Sequence, residues 1–245
     1  LRENQYVDGT YAEKAKGWHA SESPWKAANL LTLIHRHSLD LETVCDVGCG
    51  VGEILVELQK ALGPNVDFSG FDVSPHAIFI AKQKENDRLK FRNEDIITSS
   101  SHEFDLILLL DVFEHVPDYL GFLEAISARA RWFIFHIPLD ITVKGVVKKS
   151  KWMMYMRETY GHLHYFTAES ALATLSNTGY EVLDCFYTDD YDVTDKMIPK
   201  YPRARLGYEL RKYLFRMRPA LAAAIFEHFN LLVLARGRRD HTTGV

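Results

Sequence analysis

The sequence predicts an α/β fold: a doubly wound, mostly parallel seven-stranded sheet with helices on both faces. Three observations predict it. Short apolar runs alternate with helix-spaced apolar positions along most of the chain, the pattern of repeated β-α-β units. A turn punctuated by Gly48, Gly50 and Gly52 joins the first apolar run to the first helical segment of that alternation. Acidic residues recur where the strands end, at Asp46, Asp72, Asp95 and Asp111. That is the edge at which open α/β sheets bind ligands.

Each element follows in order. Residues 1–38 read as a polar, aromatic-bearing arm (Tyr6, Tyr11, Trp18, Trp25) that enters a helix through Leu30, Leu33 and Ile34. Thr43 to Asp46 is the first strand, and the glycine turn leads to a helix through Ile54, Leu55, Leu58 and Leu62, stopped by Gly63-Pro64. Val66 to Val73 is the second strand. Ser74-Pro75 is an N-cap followed by a first-turn proline, opening a helix through Ile78, Ile80 and Ala81. Leu89 to Arg92 and Phe104 to Leu110 are the third and fourth strands, the latter apolar throughout as in a strand buried on both faces. Pro117-Asp118 opens another helix, and Arg131 to Ile137 is the fifth strand. Thr167 caps a helix to Asn177, ended by Gly179, and Tyr180 to Tyr187 and Phe229 to Ala235 close the sheet. Between them, residues 190–226 form an insertion with helical spacing at Leu206, Leu210, Leu214 and Leu221.

These elements fit one domain: an arm over 1–38, a core over 39–189, the helical insertion over 190–226, and a last strand and tail over 227–245. The arm and the insertion suit lids over a ligand edge or dimer contacts. A chain of 245 residues can bury one large core. Its formal net charge of -4 supplies no global field for a polyanion, which speaks against nucleic-acid binding. No apolar run reaches the length of a membrane span. The N-terminus is polar and shows no signal peptide, so a cytoplasmic location is the expectation. Cys45, Cys49 and Cys185 give neither a disulfide framework nor a zinc knuckle and read as structural thiols.

The glycine turn, Asp46-Val47-Gly48-Cys49-Gly50-Val51-Gly52, carries the first chemistry. Glycines there let the backbone turn sharply and a ligand approach closely beside a helix N-terminus. A dinucleotide fingerprint wants its third glycine at 53, which is Glu, and a P-loop wants a Gly-Lys-Ser/Thr that is missing. Asp46 would repel a pyrophosphate and suits a ligand bearing an ammonium group. A plain structural turn remains an alternative for this segment alone. Asp72 lies 20 residues beyond Gly52, where a carboxylate can accept both hydroxyls of a ribose. An acceptor in Asn93-Glu94-Asp95-Ile96 can meet an exocyclic amine of adenine.

With these residues in place, the chain resembles a class I S-adenosylmethionine-dependent methyltransferase over about residues 40 to 185 and more weakly to 235. The turn is similar to that family's first motif, D/E-x-G-x-G-x-G. The resemblance implies S-adenosylmethionine as cofactor and S-adenosylhomocysteine as product. It assigns Gly48, Cys49, Gly50 and Gly52 to the methionine and ribose, and Asp46 to the amino group. It also assigns Asp72 to the ribose, and Val73, Asp95 and Ile96 to the adenine. Leu106 to Val116 resembles the fourth-strand motif of the subgroup with ubiquinone-biosynthesis O-methyltransferases, implying that Asp111, Val112 and His115 wall the cofactor pocket. His162-Leu163-His164-Tyr165-Phe166-Thr167 resembles a segment of small-molecule and glycan-modifying members.

The implied reaction is methyl transfer to a small-molecule acceptor, with a hydroxyl oxygen as the expected nucleophile. Alignment supplies much of such a rate, and a base helps a hydroxyl lose its proton. The histidines near the carboxyl edge are His115, His136, His162 and His164. In an extended stretch His162 and His164 point the same way, so they are the candidate catalytic pair, with His162 first as base. The alternative is that they bond loop backbone and shape the pocket. Asp111, Glu114 and His115 have a D-x-x-E-H spacing that, with His136, His162 or His164, could hold Mg, Mn or Zn in a metal-assisted reaction. Metal independence is the expectation. Lys144, Lys148, Lys149 and Lys151, with Arg203, Arg205, Arg211, Lys212, Arg216 and Arg218, read as solvated faces or as a site for an anionic acceptor such as a nucleotide-linked sugar or phosphorylated glycan precursor. A catalytically inactive binding or partner-stabilising subunit on the same fold is the alternative from another class.

Overall fold

The computed structural model describes residues 20–99, 103–147, 151–194 and 202–238. Its strands are β1 (Thr43–Val47), β2 (Asp67–Phe71), β3 (Leu89–Arg92), β4 (Phe104–Leu110), β5 (Ala130–Pro138), β6 (Glu181–Asp189) and β7 (Phe229–Arg236). They form one seven-stranded sheet in the order β3-β2-β1-β4-β5-β7-β6. β7 runs antiparallel to both β5 and β6, while the pairings among β1 to β5 are parallel. The mostly parallel sheet expected from the alternation is therefore present. Strand order reverses between β1 and β4, and the crevice at such a switch point is where these sheets bind ligands.

Successive residues of a strand face opposite sides, so each apolar run feeds two cores. Cys45, Val47, Ile107, Leu109, Phe133 and Phe135 belong to one core, and Val44, Leu106, Leu108 and Ile134 to the other. The second core is covered by α1 (Ser23–Arg36) through Leu30, Leu33 and Ile34, by α2 (Glu53–Ala61) through Leu55 and Leu58, and by α3 (Pro75–Ala81) through Ile78. Over the first core lie α4 (Tyr119–Ile126) and, further along, α7 (Ala168–Asn177), α9 (Pro202–Met217) and α10 (Pro219–Ile225). The Ser74 hydroxyl caps α3, Asp118 caps α4 and Thr167 caps α7 through a capping box, as those residue types dictate.

Most strand ends differ from expectation by one or two residues, and β2 stops short for a local reason. Asp72 still donates its N–H to the Arg92 carbonyl, but its carboxylate accepts from the backbone N–H of Ser74 and Gly50 and turns the chain out of the strand. Two helices follow β5 where the sequence suggested only a basic stretch: α5 (Val143–Val147) and α6 (Trp152–Thr159). None of the α6 residues is buried; Trp152, Tyr155 and Met156 face a cavity rather than a core. The insertion before β7 is helical, comprising α8 (Tyr191–Thr194), α9 and α10. Tyr6, Tyr11 and Trp18 of the arm, and Lys148 and Lys149, lie outside the described residues.

Candidate active site

The carboxyl ends of β1, β2, β3 and β4 open on a cavity of about 1590 Å³. At its floor the chain leaves β1 through Gly48, Gly50 and Gly52, all with positive φ (72°, 53° and 82°), a region that disfavours side chains. Gly48 and Cys49 donate their N–H groups to the Phe71 carbonyl, which locks the turn to β2. Space also requires two of these glycines. A Cβ on Gly48 would meet Val112 Cγ2 at 2.9 Å, and one on Gly52 would strike the Phe91 ring.

Two carboxylates flank this turn. Asp72 Oδ2 accepts from Gly50 N–H at 2.8 Å and Oδ1 from Ser74 N–H at 2.7 Å. Burial raises its carboxyl above the ordinary value despite those two donors. Asp46 is fully enclosed, and burial, then the Asp72 charge, push its carboxyl up to about 8 against a pull from Lys26. A cation placed beside Asp46 would restore its ionised form.

Across the cavity, Asp111 adopts φ 56°, unusual for a residue with a side chain. Its Oδ1 meets His136 Nδ1 at 2.6 Å and its Oδ2 accepts from Lys26 Nζ at 2.7 Å. Burial alone would raise this carboxyl, but His136 and Lys26 outweigh it and hold Asp111 well below the ordinary carboxylate range. Burial would likewise lower Lys26, yet Asp111 and Glu22 hold its ammonium above the ordinary lysine value. The other His136 nitrogen meets Thr188 Oγ1 at 3.3 Å, so this imidazole serves as a strut.

Beyond Asp111 a 3-10 turn spans Phe113–His115. The Glu114 carbonyl accepts from the N–H groups of Leu163 and His164, at 2.8 and 3.1 Å, and so ties the histidine loop to β4. His162 is buried, with Nδ1 2.7 Å from Asp140 Oδ2, while Trp152 Nε1 donates to Asp140 Oδ1 at 3.2 Å. His164 differs: its Nε2 lies 3.0 Å from the Val116 carbonyl and its ring packs on Tyr119. The extended-stretch expectation that both imidazoles point alike is thus corrected. His162 lines the cavity and His164 does not, because the Val116 carbonyl holds it aside.

The D-x-x-E-H spacing is also resolved. Asp111 is taken by Lys26 and His136, and its left-handed backbone breaks the helical turn the spacing assumed. The ligand-type atoms that converge belong to Glu114, His115 and His162, all within 4.8 Å of one another. Both Glu114 carboxylate oxygens are buried without a hydrogen-bond partner among the described residues. Burial, then the Asp111 charge, raise this carboxyl well above its ordinary value.

The profile of the methyltransferase domain family matches residues 19–184. The chain belongs to that family. Two curated relatives are similar to this methyltransferase domain over part of their length. A ubiquinone biosynthesis O-methyltransferase of Hydrogenovibrio crunogenus is 30% identical over 107 residues, 40% of this chain and 43% of that one. A demethylmenaquinone methyltransferase of Oceanobacillus iheyensis is 32% identical over 90 residues, 34% of this chain and 37% of that one. The chain therefore spans less than half the length of each. Among solved structures, magnesium protoporphyrin IX methyltransferase from Synechocystis with bound S-adenosylhomocysteine superimposes with a TM-score of 0.58. It is 17% identical and covers 87% of this chain and 83% of its own, a likeness of fold.

Within the methyltransferase domain, Asp46, Gly48, Cys49, Gly50, Asp72, Val73, Asp95, Ile96, Asp111, Val112, His115 and His162 line the one cavity. Gly52 does not line it; its role is the turn and the Phe91 contact. Sequence reasoning missed Lys26 of α1, Asp140, Asp190 and His228, all of which line the cavity, and the wall of Trp152, Tyr155 and Tyr160. Asp140 had a usable signal, since it follows β5 at the same carboxyl edge as the other acids. Lys26 had none, because its partner Asp111 lies 85 residues away.

The described basic residues that suggested an anionic acceptor lie elsewhere. Lys144 pairs with Glu227, and Arg211 is buried in a two-pronged bond to Asp189. Neither they nor Lys151, Arg205, Lys212, Arg216 or Arg218 line the cavity, whose cations are Lys26 and Arg157 against many carboxylates.

Proposed function

We propose that this methyltransferase domain transfers the methyl group of S-adenosylmethionine to a hydroxyl oxygen of a small-molecule acceptor, with His162 as base. One arrangement carries the reading. His162, held at Nδ1 by the buried Asp140 carboxylate, lines the same cavity as Asp46, Gly48, Gly50, Asp72 and Asp95. S-adenosylmethionine, when bound, supplies a methyl group already activated on a sulfonium.

The residues present fit that molecule. A carboxylate offers about four lone-pair sites, and the two N–H donors on Asp72 leave capacity for ribose hydroxyls. Asp46, protonated near neutrality for want of a counter-charge, suits an ammonium group. Asp95 and Ile96, with Val73 opposite, are assigned to the adenine. With Asp140 accepting at Nδ1, the His162 tautomer carries its proton there and leaves Nε2 to take the proton of the acceptor hydroxyl. The imidazolium so formed is stabilised by Asp140. Tyr160, pushed up to about 12 by burial and by Tyr155, stays a protonated donor in the wall.

Trp152, Tyr155, Met156 and Tyr160 offer flat apolar faces, while the surplus of cavity carboxylates repels polyanions. An uncharged, ring-bearing hydroxyl acceptor therefore suits the cavity better than a nucleotide sugar or phosphorylated glycan. The names of the relatives, from quinone biosynthesis, point the same way. Incorporation of labelled methyl into a panel of phenolic and aliphatic hydroxyl acceptors tests the activity. His162→Ala should lower kcat by about a hundredfold to ten-thousandfold with S-adenosylmethionine affinity nearly unchanged. Near-normal turnover of that variant would remove His162 from the base role. No turnover with any acceptor, despite cofactor binding, favours the binding-subunit alternative.

One observation favours a second reading, metal-assisted transfer. Glu114, His115 and His162 gather ligand-type atoms within 4.8 Å, and the Glu114 oxygens are buried without hydrogen bonds. The set of one carboxylate and two imidazoles suits a divalent transition metal. Under the first reading activity persists after EDTA treatment; loss with rescue by Mg, Mn or Zn makes His162 a ligand instead.

A further inference from the structure

α9 carries two faces of opposite character. Inward, Arg211 bonds Asp189 and the His228 carbonyl, Leu214 packs on the core, and Phe215 stacks on Phe229. Outward, Leu206, Leu210, Tyr213 and Met217 recur at spacings of four, three and four, which sets them in one stripe along the helix. Their exposures are 71%, 56%, 62% and 61%. Apolar side chains in solvent at that regularity are unlike the scattered apolar residues of an ordinary surface. Arg205, Lys212 and Arg216 are exposed along one flank of the stripe, with Glu209 the acid among them, and exposed Arg218 follows the helix. These cations belong to a chain of net charge -4, and they do not line the cavity.

We propose that α9 is a docking surface for an anionic phospholipid bilayer, lying in the headgroup plane with the stripe in the acyl boundary. A helix with an apolar stripe and basic flanks has the form of an interfacial anchor. It is too short and too charged to cross, and among the described residues no helix is long and apolar enough to do so. Charge decides between a bilayer and a second copy. Two α9 helices packed stripe to stripe would, if antiparallel, bring Arg205, Lys212 and Arg216 against the same cations, and, if parallel, set them against the flank of Gly207 and Leu214, which holds no acid, whereas anionic headgroups neutralise them. α9 also reaches the cavity rim, since Arg211 Nη2 donates to the carbonyl of His228, a cavity-lining residue. Docking therefore sets the lipid surface about one helix diameter, some 10–12 Å, from the cavity rim. The proposal does not depend on which acceptor is methylated.

Flotation of the whole chain tests it, using vesicles of phosphatidylcholine alone and of phosphatidylcholine with phosphatidylglycerol. The expected result is binding to the anionic vesicles only, weakening as salt rises. Each basic side chain near a charged surface contributes about fivefold, so Arg205→Ala/Lys212→Ala/Arg216→Ala should weaken binding by roughly a hundredfold. Leu210→Asp should abolish it, and both variants should keep the wild-type circular dichroism and melting temperature because the sites are exposed. No flotation with anionic vesicles overturns the proposal, as does equal binding to both vesicle types. So does a wild-type dimer in sedimentation equilibrium that Leu210→Asp converts to monomer, which assigns the stripe to a second copy.

Discussion

Replacing Asp46 by Asn should stabilise the ligand-free protein at neutral and alkaline pH while impairing it as a cofactor site. The Asp46 carboxyl, ordinarily at 3.8, is pushed up to about 8 by burial and by Asp72. A group with a raised folded value contributes its stability below the unfolded value and loses it as pH rises through the folded one. For Asp46 the window runs from 3.8 to about 8. Each pH unit in that window weakens the fold by about 1.4 kcal/mol, which accumulates to roughly 4 kcal/mol by neutrality. An Asn amide carries no charge but is itself buried, at about 1–3 kcal/mol if poorly bonded. The net gain is then about 1–3 kcal/mol at neutral pH and near zero at pH 5. At about 2–4 °C per kcal/mol for a chain of this size, Tm should rise by about 2–12 °C at pH 7.5. Calorimetric melting of both proteins at pH 5 and 7.5 reads the difference directly. Calorimetry with S-adenosylmethionine should show weaker binding to the variant, and in the wild type proton release that fades as pH rises through 8. An Asn effect on Tm that is the same at both pH values would refute the buried-carboxyl argument.

Other consequences can be checked with simple variants. Asp72→Ala should weaken S-adenosylmethionine binding by removing the ribose acceptors, and should also loosen the turn, since Gly50 and Ser74 lose their acceptor; unchanged calorimetric affinity in a folded variant moves the cofactor elsewhere. Gly52→Ala should destabilise by about 1–3 kcal/mol, because φ is 82° and the new methyl meets Phe91; a melting curve like wild type refutes that packing account. Asp140→Asn should lower kcat nearly as far as His162→Ala and shift the pH-rate profile, because the amide cannot fix the same imidazole tautomer. A pH profile identical to wild type would reduce Asp140 to a packing role.

The glycine turn and the strand-edge acids that line the cavity were legible in the sequence because they are written locally. A strand end, a glycine with positive φ and an acid two places before it occupy one short segment, and their chemistry follows from that segment alone. Asp72 and Asp95 were legible as edge acids for the same reason, lying one and three residues beyond the ends of β2 and β3. Apolar alternation likewise determined the sheet, since β4 must be apolar on both faces to sit between two helical layers. The histidine side of the cavity was written across the chain. His162 and His164 are near neighbours of the same type, and only the Val116 carbonyl and the Asp140 carboxylate, 48 and 22 residues away, send one aside and the other into the cavity. α6 hid from periodicity because its aromatic side chains face a cavity, and a cavity imposes no repeat.

The sequence by itself determined the fold class, the ligand edge and the acids along it, because strand periodicity and turn chemistry are short-range. Tertiary structure alone decided what those acids do. Asp111 reads as one more edge carboxylate, yet Lys26 from the first helix and His136 from the neighbouring strand take both its oxygens and leave Glu114, His115 and His162 as the converging group. The basic residues of the insertion read as a site for an anionic acceptor, yet the packing of Arg211 onto Asp189 and His228 turns α9 so that Arg205, Lys212 and Arg216 face solvent beside an apolar stripe. A charge acquires its role from its partners, and partners 85 residues apart meet only when the chain has folded.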